Sequence, residues 1–243
     1  MLIKLVNVFA FGLMVYMNYL ANALPLNDKT TGQLSEQYPN LFTPAGVTFS
    51  IWGIIYALLL IFVIIQFREQ NKQMIAAIGW AFAISCLLNA LWIIAWHYEQ
   101  LPLSVLIIAG MLIALLVINR NLLNFSPGLT RAAFGIYLGW ICIATIANVT
   151  ALLVNYNWGA WGISQEAWTI IMIATGAGIA ALAVYKLENP FAGLAVIWAF
   201  AGIILKRQND FPSIVIAASI AIVIVSLATI IMFYRQLSVG KIM

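Results

Sequence analysis

Residues 41–67 read LFTPAGVTFSIWGIIYALLLIFVIIQF, and this stretch decides the fold. A turn at Pro44 leads into a run from Val47 to Phe67 that contains no charged residue. About 20 apolar residues, at a rise of about 1.5 Å each, cross a hydrocarbon core roughly 30 Å thick, so the run predicts one membrane-spanning helix. Phe49, Trp52 and Tyr56 stand at i, i+3 and i+7 and share one helical face near the Pro44 end. Two readings stay open. One is an interfacial aromatic belt. The other is a wall of an aromatic cavity, because the rings occupy a side of the helix and not a girdle around it.

The rest of the chain has the same character. It is 65% hydrophobic and 7% charged, with a mean hydropathy of +1.04, whereas soluble domains carry about a quarter charged residues. The apolar runs are continuous and not alternating, which excludes a β-barrel and predicts an all-α, polytopic membrane helix bundle. The net charge of +4 comes from Lys and Arg placed singly at helix ends, without the basic cluster that nucleic-acid binding needs. Cys86 and Cys142 both lie inside apolar runs, so neither a disulfide framework nor a CxxC site is supported. One histidine and no helix-borne carboxylate pair leave metal and hydrolytic chemistry almost without ligands.

Eight apolar segments follow in order: 4–24, the 47–67 run, 74–96, 103–119, 132–155, 168–185, 191–205 and 211–234. The first carries Lys4, an apolar run and Ala21-Asn22-Ala23, which also fits a secretory leader; Asn7 and Asn18 and the many later spans favour a retained helix. The polar stretch 25–44 is either a lid folded over the bundle or a plain exposed loop. The third segment holds Asn89, Trp92 and Trp96 at i, i+3 and i+7, and the fifth holds Tyr137, Trp140, Asn148 and Asn155. Trp158, Trp161 and Trp168 gather where a headgroup region is expected. Gly176 and Ala180, four apart, and Gly135 and Gly139 invite close helix packing. The segment 191–205 is short for a span, so it is either tilted by its neighbours or re-entrant.

With eight spans, Lys4, Arg68, Lys72, Arg120, Arg131, Lys186, Arg235 and Lys241 share one side, eight of the 11 basic residues. Lys29, Lys206 and Arg207 lie on the other. The positive-inside rule then predicts a multi-pass cell-membrane protein with both termini cytoplasmic.

Three of these helices together resemble the TspO/MBR family, the tryptophan-rich sensory proteins related to the mitochondrial translocator protein. The family's second helix opens P-P-x-x-x-F-x-x-x-W-x-x-x-Y. Here Thr43, Pro44, Phe49 (less strictly aligned), Trp52 and Tyr56 stand in TPAGVTFSIWGIIY. The third-helix L-N-x-x-W matches Leu88, Asn89 and Trp92. The fifth-helix pattern is matched by Tyr137, Trp140, Asn148 and Asn155. Thr43 and Ile136 replace family prolines, Ile93 replaces a serine, Ala95 and Trp96 stand for paired phenylalanines, and the first loop is longer. The resemblance divides the chain into a five-helix core over residues 1–157 and a three-helix membrane extension over 158–243.

The resemblance implies a pocket under the first loop for a porphyrin, or for sterols or synthetic aromatic ligands in some members. Phe49, Trp52, Tyr56, Asn89, Trp92, Tyr137, Trp140 and Asn148 are its expected ligand-binding residues, between the second, third and fifth helices. Trp198, outside that core, is expected to matter much less. The residues agree in kind, since stacked Trp and Tyr rings favour a flat apolar molecule with a polar edge met by Asn. Asn89 and Asn148 have a structural alternative, a bond to each other or to a backbone carbonyl across a helix interface. His97 reads as an interfacial residue at a helix end, with axial haem ligation as the alternative. No cofactor is required, and a porphyrin or haem enters as ligand. The expected partners are a hydrophobic small molecule, membrane lipid and a second copy of the chain. The leading function is a membrane binding or sensory protein for a hydrophobic, tetrapyrrole-like ligand. A transporter or permease for small hydrophobic molecules is the alternative, and an enzyme ranks third, since no nucleophile–base pair is present.

Overall fold

A computed structural model describes residues 1–23 and 26–238. Leu24, Pro25 and Lys241, which figure in the segment limits and the charge count above, lie outside the described residues. Among the described residues there are ten α-helices and no β-strand. They are α1 Leu2–Asn22, α2 Thr31–Glu36, α3 Ile51–Ile65, α4 Lys72–Ile78, α5 Ala81–His97, α6 Leu101–Asn121, α7 Leu129–Asn155, α8 Gln165–Lys186, α9 Phe191–Arg207 and α10 Pro212–Ser238. Among the described residues six helices, counting α3 with the 3₁₀ turn before it, are long and apolar enough to cross a membrane, or seven if α4 and α5 form one bent span.

Prolines sit where helices begin. Pro102 lies in the first turn of α6, Pro190 caps α9 and Pro212 opens α10, positions where the missing N–H and fixed φ cost nothing. Most segment limits shift by a few residues, and two differ from the sequence reading in kind. The Val47 helix starts late, because Gly46–Ser50 is a 3₁₀ turn and the α-helix begins at Ile51. The expected third span 74–96 is broken: Gly79 takes φ +56°, a left-handed conformation that glycine adopts without penalty. The axes of α4 and α5 meet there at 60°.

α1, α3, α7, α6 and α5 pack in that order as a closed ring, each against the next and α5 back against α1. α9 lies against the outside of α7, flanked by α8 and α10. Gly139 makes the α7–α9 approach so close that a Cβ there would strike the Ala192 backbone carbonyl, and one on Gly135 would strike the Asn189 side chain. Small residues at such crossings let dispersion contacts form between backbones where no hydrophobic driving force separates helix from lipid.

One end of the bundle is filled. Phe62, Phe82 and Phe134 meet edge to face with centroids 4.9 to 5.7 Å apart. Gln66 accepts from Asn7 Nδ2 at 3.0 Å and donates to the Lys4 carbonyl, joining the start of α1 to the end of α3. Arg131, fully buried, donates to the carbonyls of Phe125, Leu187 and Glu188. Gln236 near the end of α10 also donates to the Glu188 carbonyl. The start of α1 and the end of α10 therefore lie at the same end of the bundle. α9 runs from this end to the other, where Lys206 and Arg207 reach the first loop.

Candidate functional site

The opposite end is hollow and walled with rings. Trp52 is its hub: it stacks on Tyr56 (5.5 Å, 19°) and meets Trp140 and Tyr137 edge-on at 6.2 and 5.9 Å. Phe49 abuts Trp140 at 5.9 Å. Across the space Trp92 stacks on Trp96 at 5.6 Å and 15°, and Tyr38 from the first loop meets Trp96 at 6.0 Å. Between these walls runs a narrow cleft of about 60 Å³, lined by Phe49, Trp52, Trp92, Trp96, Trp140 and Asn148 with Thr31, Ser35, Asn40, Thr43 and Pro44 above. A second chamber of about 350 Å³ adjoins it through the shared residues Thr31, Phe49, Trp52 and Trp92, and extends toward Asn18 and Tyr56.

Each polar side chain expected at the site has a definite place. Asn148 lines the cleft and fixes its wall: it accepts from Trp92 Nε1 at 2.9 Å and donates to Ser104 Oγ at 2.9 Å. Asn89 and Tyr137 are both fully buried and lie behind the wall. Asn89 accepts from Asn18 Nδ2 at 2.7 Å and donates to Tyr137 Oη at 3.0 Å, and Tyr137 donates to Met111 Sδ at 3.1 Å. The Asn89–Asn148 bond held open in the sequence reading does not form, because each finds a nearer partner on another helix. Burying these amides without such bonds would cost several kcal/mol. His97 Nδ1 contacts the Ile93 carbonyl at 2.8 Å and Nε2 faces Thr31 Oγ1 at 3.5 Å, so the ring is engaged on both nitrogens.

Three donors are different. Trp96 Nε1, Trp140 Nε1 and Tyr56 Oη are buried and have no hydrogen-bond partner among the described residues. The two indoles line the cleft and the phenol lines the adjoining chamber. Leaving a buried donor unmade costs about 1–3 kcal/mol, so two on the cleft and a third on the adjoining chamber call for an explanation.

The first loop closes the hollow end in two pieces. Residues 26–38 include α2, whose Thr30 and Gln33 form a reciprocal capping box. This piece rests on the end of α5. Glu99 accepts from Lys29 Nζ and from Tyr38 Oη, each at 3.0 Å, and Asn27 donates to the His97 carbonyl. The bond from Lys29, then that from Tyr38, holds the Glu99 carboxyl below its usual range. Burial, then the bond to Glu99, pushes the Tyr38 phenol up to about 12. Residues 40–48 instead rest on α9. Arg207 donates to the Asn40 and Leu41 carbonyls at 2.7 and 3.1 Å, Ala45 N donates to the Gly202 carbonyl, and Trp198 Nε1 donates to the Thr48 carbonyl at 2.8 Å. Trp198, expected to matter little, thus holds the turn that presents Phe49.

Sequence reasoning missed Trp96 as a lining residue, although its i+4 spacing from Trp92 was visible. It also missed Ala144, Ala147 and Ala151, which line the cleft on α7 at i, i+3 and i+7. Alanines at that spacing leave the room that the rings surround, and this was the available signal.

The profile of the family described as TSPO-like protein matches residues 4–231, which takes in α8, α9 and most of α10 as well as the five-helix ring. No curated protein and no solved structure matches the chain. A nearly full-length family match, on an all-helical bundle with several apolar helices, leaves one conclusion: this multi-pass membrane protein belongs to the TSPO-like family.

Proposed function

We propose that the chain is a membrane binding or sensory protein whose ligand is a flat, largely apolar, tetrapyrrole-like molecule held at the hollow end. The observation that carries this is the pairing of ring walls with unpaired donors. Trp52, Trp92 and Trp140 offer stacking and edge contacts, while Trp96 and Trp140 offer N–H groups with no partner among the described residues. A conjugated ring system with peripheral carboxylates or carbonyls meets both needs. The cleft of about 60 Å³ is too narrow for such a molecule as it stands, since ligand sites span about 300–1,000 Å³. Binding therefore joins the cleft to the neighbouring chamber by displacing the α2 piece of the loop. With both His97 nitrogens engaged, the reading favours a ligand held by its rings and its edge over one held through an axial imidazole.

The test is a porphyrin titration followed by the Soret band and by equilibrium dialysis. Trp52→Ala is expected to weaken binding roughly 5- to 150-fold, about 1–3 kcal/mol for a central aromatic anchor. Trp140→Phe keeps one aromatic ring and removes the N–H with the rest of the indole, and is expected to cost at least about 5- to 10-fold. Trp161→Ala, at a residue 79% exposed that lines neither the cleft nor the chamber, is the control. Equal loss in all three variants, or none in Trp52→Ala, removes the assignment.

A further inference from the structure

α7 carries a second cavity on its other side. At 100° per residue, Ala144, Ala147, Asn148 and Ala151 face the first cleft, while Ile146, Val149, Thr150 and Leu153 point the opposite way. There α8 stands off from α7, and the gap is a cavity of about 390 Å³, walled chiefly by Leu41, Ile146, Val149, Leu153, Trp168 and Met172. It exists only because α8 is present, so the five-helix ring by itself would not contain it.

Its chemistry is the reverse of the first site. The hydroxyls in the wall are engaged: Thr145 donates to the Ile141 carbonyl at 2.7 Å and Thr169 to the Gln165 carbonyl at 2.8 Å, while Thr150 lies 2.8 Å from the Ile146 carbonyl and 3.1 Å from Met172 Sδ on α8. Trp168 Nε1 donates to the Ala160 carbonyl at 2.9 Å. With these donors spent, an occupant gains dispersion and apolar burial but little hydrogen bonding. Position supplies the rest. Trp158, Trp161 and Trp168 cluster with centroids 5.2 to 5.8 Å apart at the head of α8. Such rings settle where headgroups meet hydrocarbon, which places the cavity just inside the hydrocarbon layer. Val149, on the rim, is 37% exposed, so the cavity opens sideways along two membrane helices.

We propose that this cavity is a binding site for one acyl chain of a bilayer phospholipid. The chain enters past Val149, lies between α7 and α8, and leaves its headgroup at the level of the tryptophan cluster. Its far wall includes Pro39, Asn40 and Leu41, and Asn40 also lines the first cleft, so the seated chain backs the loop that closes the other site.

The test uses full-length protein in nanodiscs containing phosphatidylcholine with a diazirine on one acyl chain, and maps the crosslinks by mass spectrometry. Saturable labelling of Val149, Leu153 and Met172 is expected, competed by unlabelled phosphatidylcholine and several-fold above that of Ile230, an exposed residue on α10. Leu153→Trp and Met172→Trp, which fill the cavity from opposite helices, should each abolish it. Trp52→Ala should leave it unchanged whether or not the first site binds a tetrapyrrole. Labelling equal to that of Ile230, or unaltered in both filling variants, overturns the proposal. So does labelling by a diazirine fatty acid that excess phospholipid does not displace. Should the filling variants fail to fold, the wild-type labelling ratio and its competition decide alone.

Discussion

At Glu99 two residues of the first loop meet one carboxylate, and the loop inherits that group's titration. The Lys29 bond and then the Tyr38 bond keep its carboxyl below the ordinary 4.5. The attachment is therefore complete above that value and lost as pH falls through the lowered one. Tyr38, raised to about 12 from 10.0, donates fully below pH 10 and ceases as pH climbs toward 12. Hydrogen exchange in residues 26–38 should accordingly show extra opening below about pH 4.5, beyond the pH dependence of the intrinsic exchange chemistry. Glu99→Gln should raise exchange there at pH 7 by at most about fivefold, since exposed pairs are worth about 0–1 kcal/mol. Unchanged exchange in this variant would mean that α2 packing, through the buried Leu34, holds the piece by itself. At this scale the sequence was partly legible. The spacing of Phe49, Trp52 and Tyr56 placed three rings on one face, and the structure gathers them. Which indole N–H goes unpaired was not legible, because Trp92 finds Asn148 and Trp96 finds nothing only once α5, α6 and α7 are assembled.

Among the elements, α7 shows how glycine decides helix spacing. Gly139 sits against the Ala192 backbone, which cannot yield without parting α7 from α9. Gly176 on α8 instead faces the side-chain tips of Ile143 and Phe200, at 3.1 and 3.3 Å from an added Cβ. Gly176→Leu is therefore expected to cost about 1–3 kcal/mol and Gly139→Leu more than about 3 kcal/mol. Thermal unfolding in detergent and in lipid measures both, and the reverse order would show that the α7–α9 contact adapts. Hydropathy made the apolar helices legible, since their lengths follow from the solvent they cross. It could not reveal the break at Gly79, where a single backbone conformation outweighs an apolar pattern that runs through. Nor could it reveal that Gly135 meets Asn189 in the turn before α9 and Gly139 meets α9 itself: periodicity gives the face of a helix, never the neighbour.

For the molecule as a whole, α9, outside the ring, is part of how the hollow end is built. Arg207→Gln removes two charge-assisted bonds to the loop backbone and should weaken porphyrin binding about 10-fold, with faster hydrogen exchange in residues 40–48. Faster exchange with unchanged affinity would show that this wall does not touch the ligand. The common end shared by the start of α1 and the end of α10 predicts that reporters fused to the two termini report the same side of the membrane. Opposite sides would mean that α9, 17 residues long, does not cross.

The Arg207 clamp also sets a timetable for synthesis. Leu41 and Arg207 are 166 residues apart. At roughly 5–20 residues per second, the ribosome finishes the loop about 8–30 s before it delivers the arginine that fastens it. α7 ends at Asn155, so only over the last stretch of that interval, about 3–10 s, does the five-helix ring exist with one side of its roof unsecured. A nascent chain arrested at residue 190 should be cut by protease between 39 and 48, whereas one released after residue 238 should resist. Ligand competence would then arrive late in the life of the polypeptide, with the last helices and not with the rings that line the site.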